Sequence, residues 1–217
     1  MDTSAIWVTA KLALFVTPVL VTLTLPLAYG LAFGRFRGKG LVEATCNLPL
    51  VLPPTVLGFY LLVAMGPRSP LGQAWEGLFG ERLVFTFTGL VIASLIYSLP
   101  FALQPLKTSF AKLDRRLIET AWVLGKGPWE TFFKVVLPNS LGGLASACVL
   151  VFAHTIGEFG VALMIGGSIP GQTKVASIAI FEHVEMLEYG SAAMISLVLL
   201  VISYLVLLLI SCIERKD

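Results

Sequence analysis

Five stretches without a single Asp, Glu, Lys or Arg, at 12–33, 44–65, 83–106, 135–157 and 189–213, decide what this 217-residue chain can become. Each is long enough to cross the hydrocarbon of a bilayer, which takes about 20 apolar residues in a helix. In lipid every backbone N–H and C=O must be satisfied within the segment, so runs of this length fold as helices. The pattern predicts an all-α integral membrane protein. It reads as a single transmembrane domain over 1–217, with five spans at about 6–33, 42–65, 83–106, 135–157 and 189–213. Charge supports this: only 13% of residues are charged, against about 25% in a soluble domain. A sixth apolar run, 159–173, is short and rich in glycine, and reads as a helix end followed by a re-entrant or exposed loop.

Basic residues orient the spans. Eleven of the fifteen Lys and Arg residues fall on one side: Arg35, Arg37 and Lys39; Lys107, Lys112, Arg115, Arg116, Lys126 and Lys134; Arg215 and Lys216. The other side keeps Lys11, Arg68, Arg82 and Lys174. The expectation is a multi-pass cell-membrane protein with the N-terminus outside, the C-terminus in the cytoplasm and the 107–134 loop facing the cytoplasm. The first apolar run is too long for a cleavable signal, and Asp2 stands where such a signal carries Lys or Arg. A net charge of +2 gives no reason to expect nucleic acid. Cys46, Cys148 and Cys212 all lie in apolar stretches and read as packing residues.

The 107–134 loop has a pattern of its own. Leu113, Leu117, Ala121 and Leu124 recur as one apolar stripe of a short helix. Asp114 is placed to cap its start and Gly125 to end it. Gly127-Pro128 makes a turn, and a second helix is expected over 129–136, ending before Pro138. Such a segment could lie on the lipid surface as an amphipathic helix. A soluble partner that grips it is the stronger reading.

The loop resembles the cytoplasmic EAA loop of ABC-importer permeases. Glu119-Thr120-Ala121, Gly125, Val135 and Leu137-Pro138 stand at that family's spacing, with Thr120 in place of the usual alanine. The resemblance implies a type I ABC-importer permease core whose short coupling helices dock on a separate pair of ATPase subunits. Glu119, Thr120, Ala121, Gly125, Leu137 and Pro138 would carry that docking. It also implies a place in the inner or plasma membrane of a prokaryote, with a second copy of the chain and an extracytoplasmic binding protein as partners. No cofactor is expected in this chain, because ATP and magnesium would bind the partner. The string Gly34 to Gly40 lacks the spacing and hydroxyl of a phosphate-cradling loop.

Two apolar segments are unusual. Pro49, Pro53 and Pro54 fall within six residues of the second span, where they remove backbone donors. Broken backbone at membrane depth needs protein or a water-filled cavity beside it, and discontinuous helices mark transport routes. Pro53, Pro54 and Thr55 are therefore candidates for the pathway. Glu158 interrupts an uncharged run, and an ionisable residue in a span is a functional candidate. With Gly160 it is placed beside the break, as a residue that shapes the route rather than binding an anion. An Arg or the freed N–H groups of the second span are its expected partners. His154, one turn earlier, is expected to pack rather than ligate.

Residues 48–58, Gly157-Glu158-Phe159-Gly160 and the run 167–173 are similar to the permease subunit of molybdate transporters. That resemblance covers nearly the whole chain and implies import of molybdate or a similar tetrahedral oxyanion, with tungstate and sulfate as alternatives. An ion-coupled carrier or channel would need paired intramembrane charges or a repeat. A membrane enzyme would need a cluster of His, Asp, Glu or Cys. The sequence offers neither. The chain also stops soon after the last run, so no regulatory domain is expected.

Overall fold

The computed structural model describes residues 3–214, with side chains to residue 208. Asp2, Arg215 and Lys216 lie outside the described residues, as does the side chain of Cys212. Among the described residues eleven α-helices follow one another: α1 Thr3–Phe33, α2 Lys39–Val51, α3 Pro54–Met65, α4 Pro70–Phe79, α5 Phe87–Lys112, α6 Arg115–Val123, α7 Pro128–Thr131, α8 Leu141–Ile156, α9 Gly160–Gly166, α10 Ala176–Glu185 and α11 Tyr189–Glu214. Four helical stretches among the described residues have the length and hydropathy to cross a membrane: Thr3–Phe33, Phe87–Lys112, Pro138–Ile156 and Tyr189–Leu208. The second expected span is not one helix. α2 and α3 meet at 115°, so it is a broken span or a re-entrant pair.

The cause of that break is local. A proline forces the residue before it into extended backbone. Leu52 sits at φ −72°, ψ 136° and Pro53 at φ −55°, ψ 136°. Pro53 and Pro54 act in tandem, while Pro49 stays inside α2 and is buried. Pro54 then starts α3 in the position where a missing N–H costs nothing.

α1, α5 and α8 pack on one another and form the core. From α1 come Val8, Leu12, Val16 and Leu20, spaced by four; α5 adds Leu103, Leu106 and Phe110, and α8 adds Ala147 and Val151. Threonines in α1 bury their hydroxyls by bonding back one turn: Thr9 Oγ1 donates to Ala5 O at 2.9 Å and Thr24 Oγ1 to Leu20 O at 2.7 Å. Thr9 Oγ1 also accepts the Ala176 N–H at 2.7 Å, so a hydroxyl on α1 serves the first turn of α10. Cys46 and Cys148 are half-buried against this core. α11 packs on α10 and α8, and α3 packs on α9.

The third span runs past its expected end. α5 continues to Lys112, so Lys107 belongs to a helix rather than a loop, and it pairs with Glu43 of α2. The helix expected over 129–136 also differs. α7 gives one turn, Phe132–Val136 widens into a π-helix, and Pro138–Ser140 tightens into a 3₁₀ turn that leads into α8. Leu137 N–H reaches back to Phe132 O at 2.9 Å. The wide turn lets the helix pass Pro138, which has no N–H and would clash with a regular preceding turn.

Candidate functional site

Two places bring the expected residues together. The first is the elbow formed by α6 and α7. Asp114 caps α6, its Oδ1 accepting the Arg116 N–H at 3.0 Å. At the other end Gly125 N–H donates to Trp122 O at 2.9 Å and Lys126 N–H to Ala121 O at 3.0 Å. This is the paired closure in which a left-handed residue follows the helix, and Gly125 has φ +77°. The expected apolar stripe is corrected. Ile118 and Ala121 turn inward, and Leu113 packs on the core, but Leu117 is 45% exposed and Leu124 72%. Three-residue spacing from Ile118, not four from Leu117, sets the buried face.

The outward side of the elbow is apolar. Val123 is 86% exposed and Trp129 74%, and Trp122, Leu124 and Phe133 are exposed beside them. Glu119 is not at this tip. It lines a cleft of about 130 Å³ with Trp122, Ile118 and the end of α1 at Tyr29 and Phe33. Thr120 is exposed and its hydroxyl donates to Arg116 O at 2.7 Å. Leu137 and Pro138 stand apart, at the foot of α8. Glu130 ties the turn, accepting from Lys126 Nζ at 2.5 Å and Lys134 Nζ at 2.8 Å. Bonding first to Lys126 and then to Lys134 holds its carboxyl below the usual carboxylate range.

The second place is a cavity of about 410 Å³ at the α2–α3 break, bordered by Pro54, Thr55, Glu158 and Gly160 together with Tyr97 and His154. Pro53 is not among its lining residues. Close backbone approach makes the site. A Cβ on Gly160 would lie 2.9 Å from Pro54 Cβ, and one on Gly58 2.9 Å from Met164 Cβ. Both glycines let α3 press on α9.

Two expectations about this site are revised. The break frees few donors. Pro53 and Pro54 own no N–H, and Val56 and Leu57 both donate to Pro53 O, at 2.9 and 3.1 Å. Only the Thr55 N–H remains from that turn. Glu158 meets neither an Arg nor those N–H groups. It is 3% exposed, its Oε2 accepts from Ser94 Oγ at 2.6 Å, and its Oε1 has no partner among the described residues. Ser177 Oγ donates to Glu158 O at 2.5 Å. The 157–160 turn is thus fastened to α5 and α10 and pressed on α3.

His154 packs as expected. Its ring stacks on Phe101 with centroids 4.0 Å apart, Tyr97 lies at 4.5 Å, and Nδ1 is 2.9 Å from Ser98 Oγ. Ser94, Ser98 and Phe101 belong to no motif. The one signal that could have found this face is a polar stripe on α5: Gln104, Thr108 and Lys112 at four-residue spacing.

Membrane-length helices α1, α5 and α8 packed as a core with a broken helix beside them, and a short apolar elbow between the third and fourth long apolar segments, define an all-α integral membrane protein. Solved structures share that fold. A bacterial ABC transporter involved in import of the acidic polysaccharide alginate superposes with a TM-score of 0.79 at 15% identity, over 99% of this chain and 79% of that one. The MetNI methionine ABC transporter in an inward-facing conformation gives 0.74 at 16% identity, over 100% and 95%. The pattern of the binding-protein-dependent transport system inner membrane component matches residues 21–216. The chain belongs to that family. It is 50% identical to the molybdenum transport system permease protein ModB of Azotobacter vinelandii, over 95% of this chain and 91% of that protein. Identity to ModB of Escherichia coli K12 is 34%, over 92% and 91%. A probable sulfate transport system permease protein cysT of Chlorella vulgaris is 35% identical over 83% and 67%.

Proposed function

We propose that this chain is the transmembrane subunit of an ATP-driven importer that moves molybdate, or a similar tetrahedral oxyanion, into a prokaryotic cytoplasm. Two copies line the route, a pair of ATPase subunits carries ATP and magnesium, and an extracytoplasmic binding protein delivers the anion. The observation that carries this reading is near full-length likeness to a molybdenum permease at 50% identity. The elbow supports the coupling: an exposed apolar tip on a stiff, capped helix is a surface for a soluble partner. Glu119, Thr120, Ala121 and Gly125 belong to that lever, and Leu137 and Pro138 root it in α8. Sulfate is the second reading, supported by the 35% identity to the algal cysT protein. Uptake by membrane vesicles containing the whole transporter, with molybdate, tungstate and sulfate in competition, tests the substrate. Sulfate out-competing molybdate would overturn the first reading.

The proposed orientation places the N-terminus outside and the elbow in the cytoplasm. With the native cysteines replaced, Val123→Cys is expected to react with an impermeant thiol reagent from the cytoplasmic side alone. Labelling of sealed cells from outside would reverse the topology.

Pro53, Pro54, Thr55, Glu158 and Gly160 are assigned to the route. A passing oxyanion needs neutral donors that can release it, and Thr55 offers a hydroxyl and an N–H. Thr55→Val is expected to lower uptake about fivefold, the equivalent of one hydrogen bond of about 1 kcal/mol. The yield of intact complex should stay unchanged. Normal uptake by Thr55→Val would remove this residue from the route.

A further inference from the structure

We propose that the route runs over the face that α5 and α8 share, outside their close contact at Ser109 and Gly143, and is closed there by the Phe101 ring stacked on His154. This deepens the transport reading above and rests on it. The shared face carries two cavities. One is the cavity at the α2–α3 break, which Tyr97 borders from α5 and Ala153 and His154 border from α8. The other is a groove of about 1100 Å³ that reaches the foot of α8, bordered by Gln104, Thr108 and Lys112 of α5 and by Ser146 and Leu150 of α8.

The two lie on the same pair of helix faces. Tyr97, Phe101, Gln104, Thr108 and Lys112 recur at three- and four-residue spacing, and Ser146, Leu150 and His154 at four. Residues at such spacing share a face. From residue 97 to 112 the helix rises about 22 Å at 1.5 Å per residue. The two cavities therefore follow one another along the shared face of α5 and α8.

Gln104 stands near the end of the apolar run 83–106, where a polar group faces water or protein rather than lipid, and Thr108, Ser109 and Lys112 carry the groove on to the polar end of α5. Hydroxyl groups such as those of Thr108 and Ser109 suit an oxyanion, because they replace its water shell without trapping it, while the Gln104 amide already donates to Asn47 Oδ1 at 2.6 Å.

Between the residues that border the two cavities stands Phe101, which lines neither of them and packs against the core. It lies one turn beyond Tyr97 and one turn before Gln104 and Pro105. Its ring is 4.0 Å from that of His154, inclined by 25°. Ser98 Oγ, 2.9 Å from Nδ1, and Tyr97, 4.5 Å away, hold the imidazole in place. An apolar plate across a polar path blocks ions by excluding water. It has no charge to hold the anion once it moves aside.

The test uses nucleotide-free vesicles with the complete transporter and Cys46, Cys148 and Cys212 replaced by alanine. An impermeant thiol reagent is added from the elbow side. With Phe101 present, Ser146→Cys should react and Ala153→Cys should not. Phe101→Ala should expose Ala153→Cys from that side and raise ATP-independent molybdate flux about tenfold, a barrier lower by about 1.4 kcal/mol. Phe101→Leu should keep the seal, and His154→Ala, which removes the other half of the stack, should open it. Reaction of Ala153→Cys with both rings in place, or no reaction in either alanine variant, would overturn the gate. Absence of ATP-driven uptake by the parent transporter would instead sink the transport reading, and the gate with it.

Discussion

Gly143→Ala is expected to destabilise the purified transporter markedly, and Ser109→Gly in the same chain is expected to restore much of the loss. A Cβ on Gly143 of α8 would fall 2.3 Å from Ser109 Cβ, 2.6 Å from its Oγ and 3.1 Å from Pro105 O. Nothing can stay that close, so α5 and α8 must separate. Overpacking of this kind costs about 1–3 kcal/mol, and this helix pair also frames the core around Phe110 and Val151. Removing the Ser109 side chain vacates the space that the new methyl needs, so the two changes should be strongly non-additive. Thermal melting and the yield of intact complex measure the cycle. Additive losses, or an unchanged melt for Gly143→Ala, would show that the helices do not approach so closely.

Gly125→Val is expected to leave ATP hydrolysis running while uptake fails, whereas Gly125→Asn should stay close to the parent. The reason lies in the backbone. Gly125 has φ +77° and no atom within 4 Å of a built Cβ. Space is free, so conformation alone demands glycine. A left-handed L-residue costs about 1–2 kcal/mol, and asparagine pays less than most. A β-branched side chain tolerates φ > 0 least. Valine should unwind the closure that joins Gly125 and Lys126 to Trp122 and Ala121, loosening the lever without touching the long helices. Moles of oxyanion taken up per ATP hydrolysed is the quantity to compare. If asparagine proves as damaging as valine, crowding against a partner is the governing constraint instead.

Much of this fold is written in short-range patterns. Asp114 at the start of α6 and Gly125 after its end are legible because capping depends on a few neighbouring backbone groups. The break at Pro53-Pro54 is legible for the same reason, since each proline acts on its own turn and on the residue before it. The family shows in the spacing of Glu119, Gly125 and Leu137-Pro138, and the fold of that family is what the structure displays.

Other features depended on the third dimension. Leu117 and Leu124 fit a helical stripe as well as Ile118 and Ala121 do. Only the position of α1 and the core decides which stripe is buried. The break at Pro53-Pro54 is local, but the close approach of α3 to α9 through Gly58 and of the 157–160 turn to Pro54 through Gly160 is tertiary. Pro138 reads as a helix end, yet a π turn carries the helix past it because α8 must continue into the bundle. Glu158 announces itself as a lone carboxyl in an apolar run, but its partner is Ser94, sixty-four residues earlier. Hydroxyl partners are too common, and too distant in the chain, to be found by spacing. The sequence by itself determined the membrane-length helices, their caps and their breaks, because lipid and backbone chemistry act on neighbouring residues. The tertiary structure alone decided that Thr55, His154 and Glu158 border one cavity, because that juxtaposition comes from packing between helices far apart along the chain.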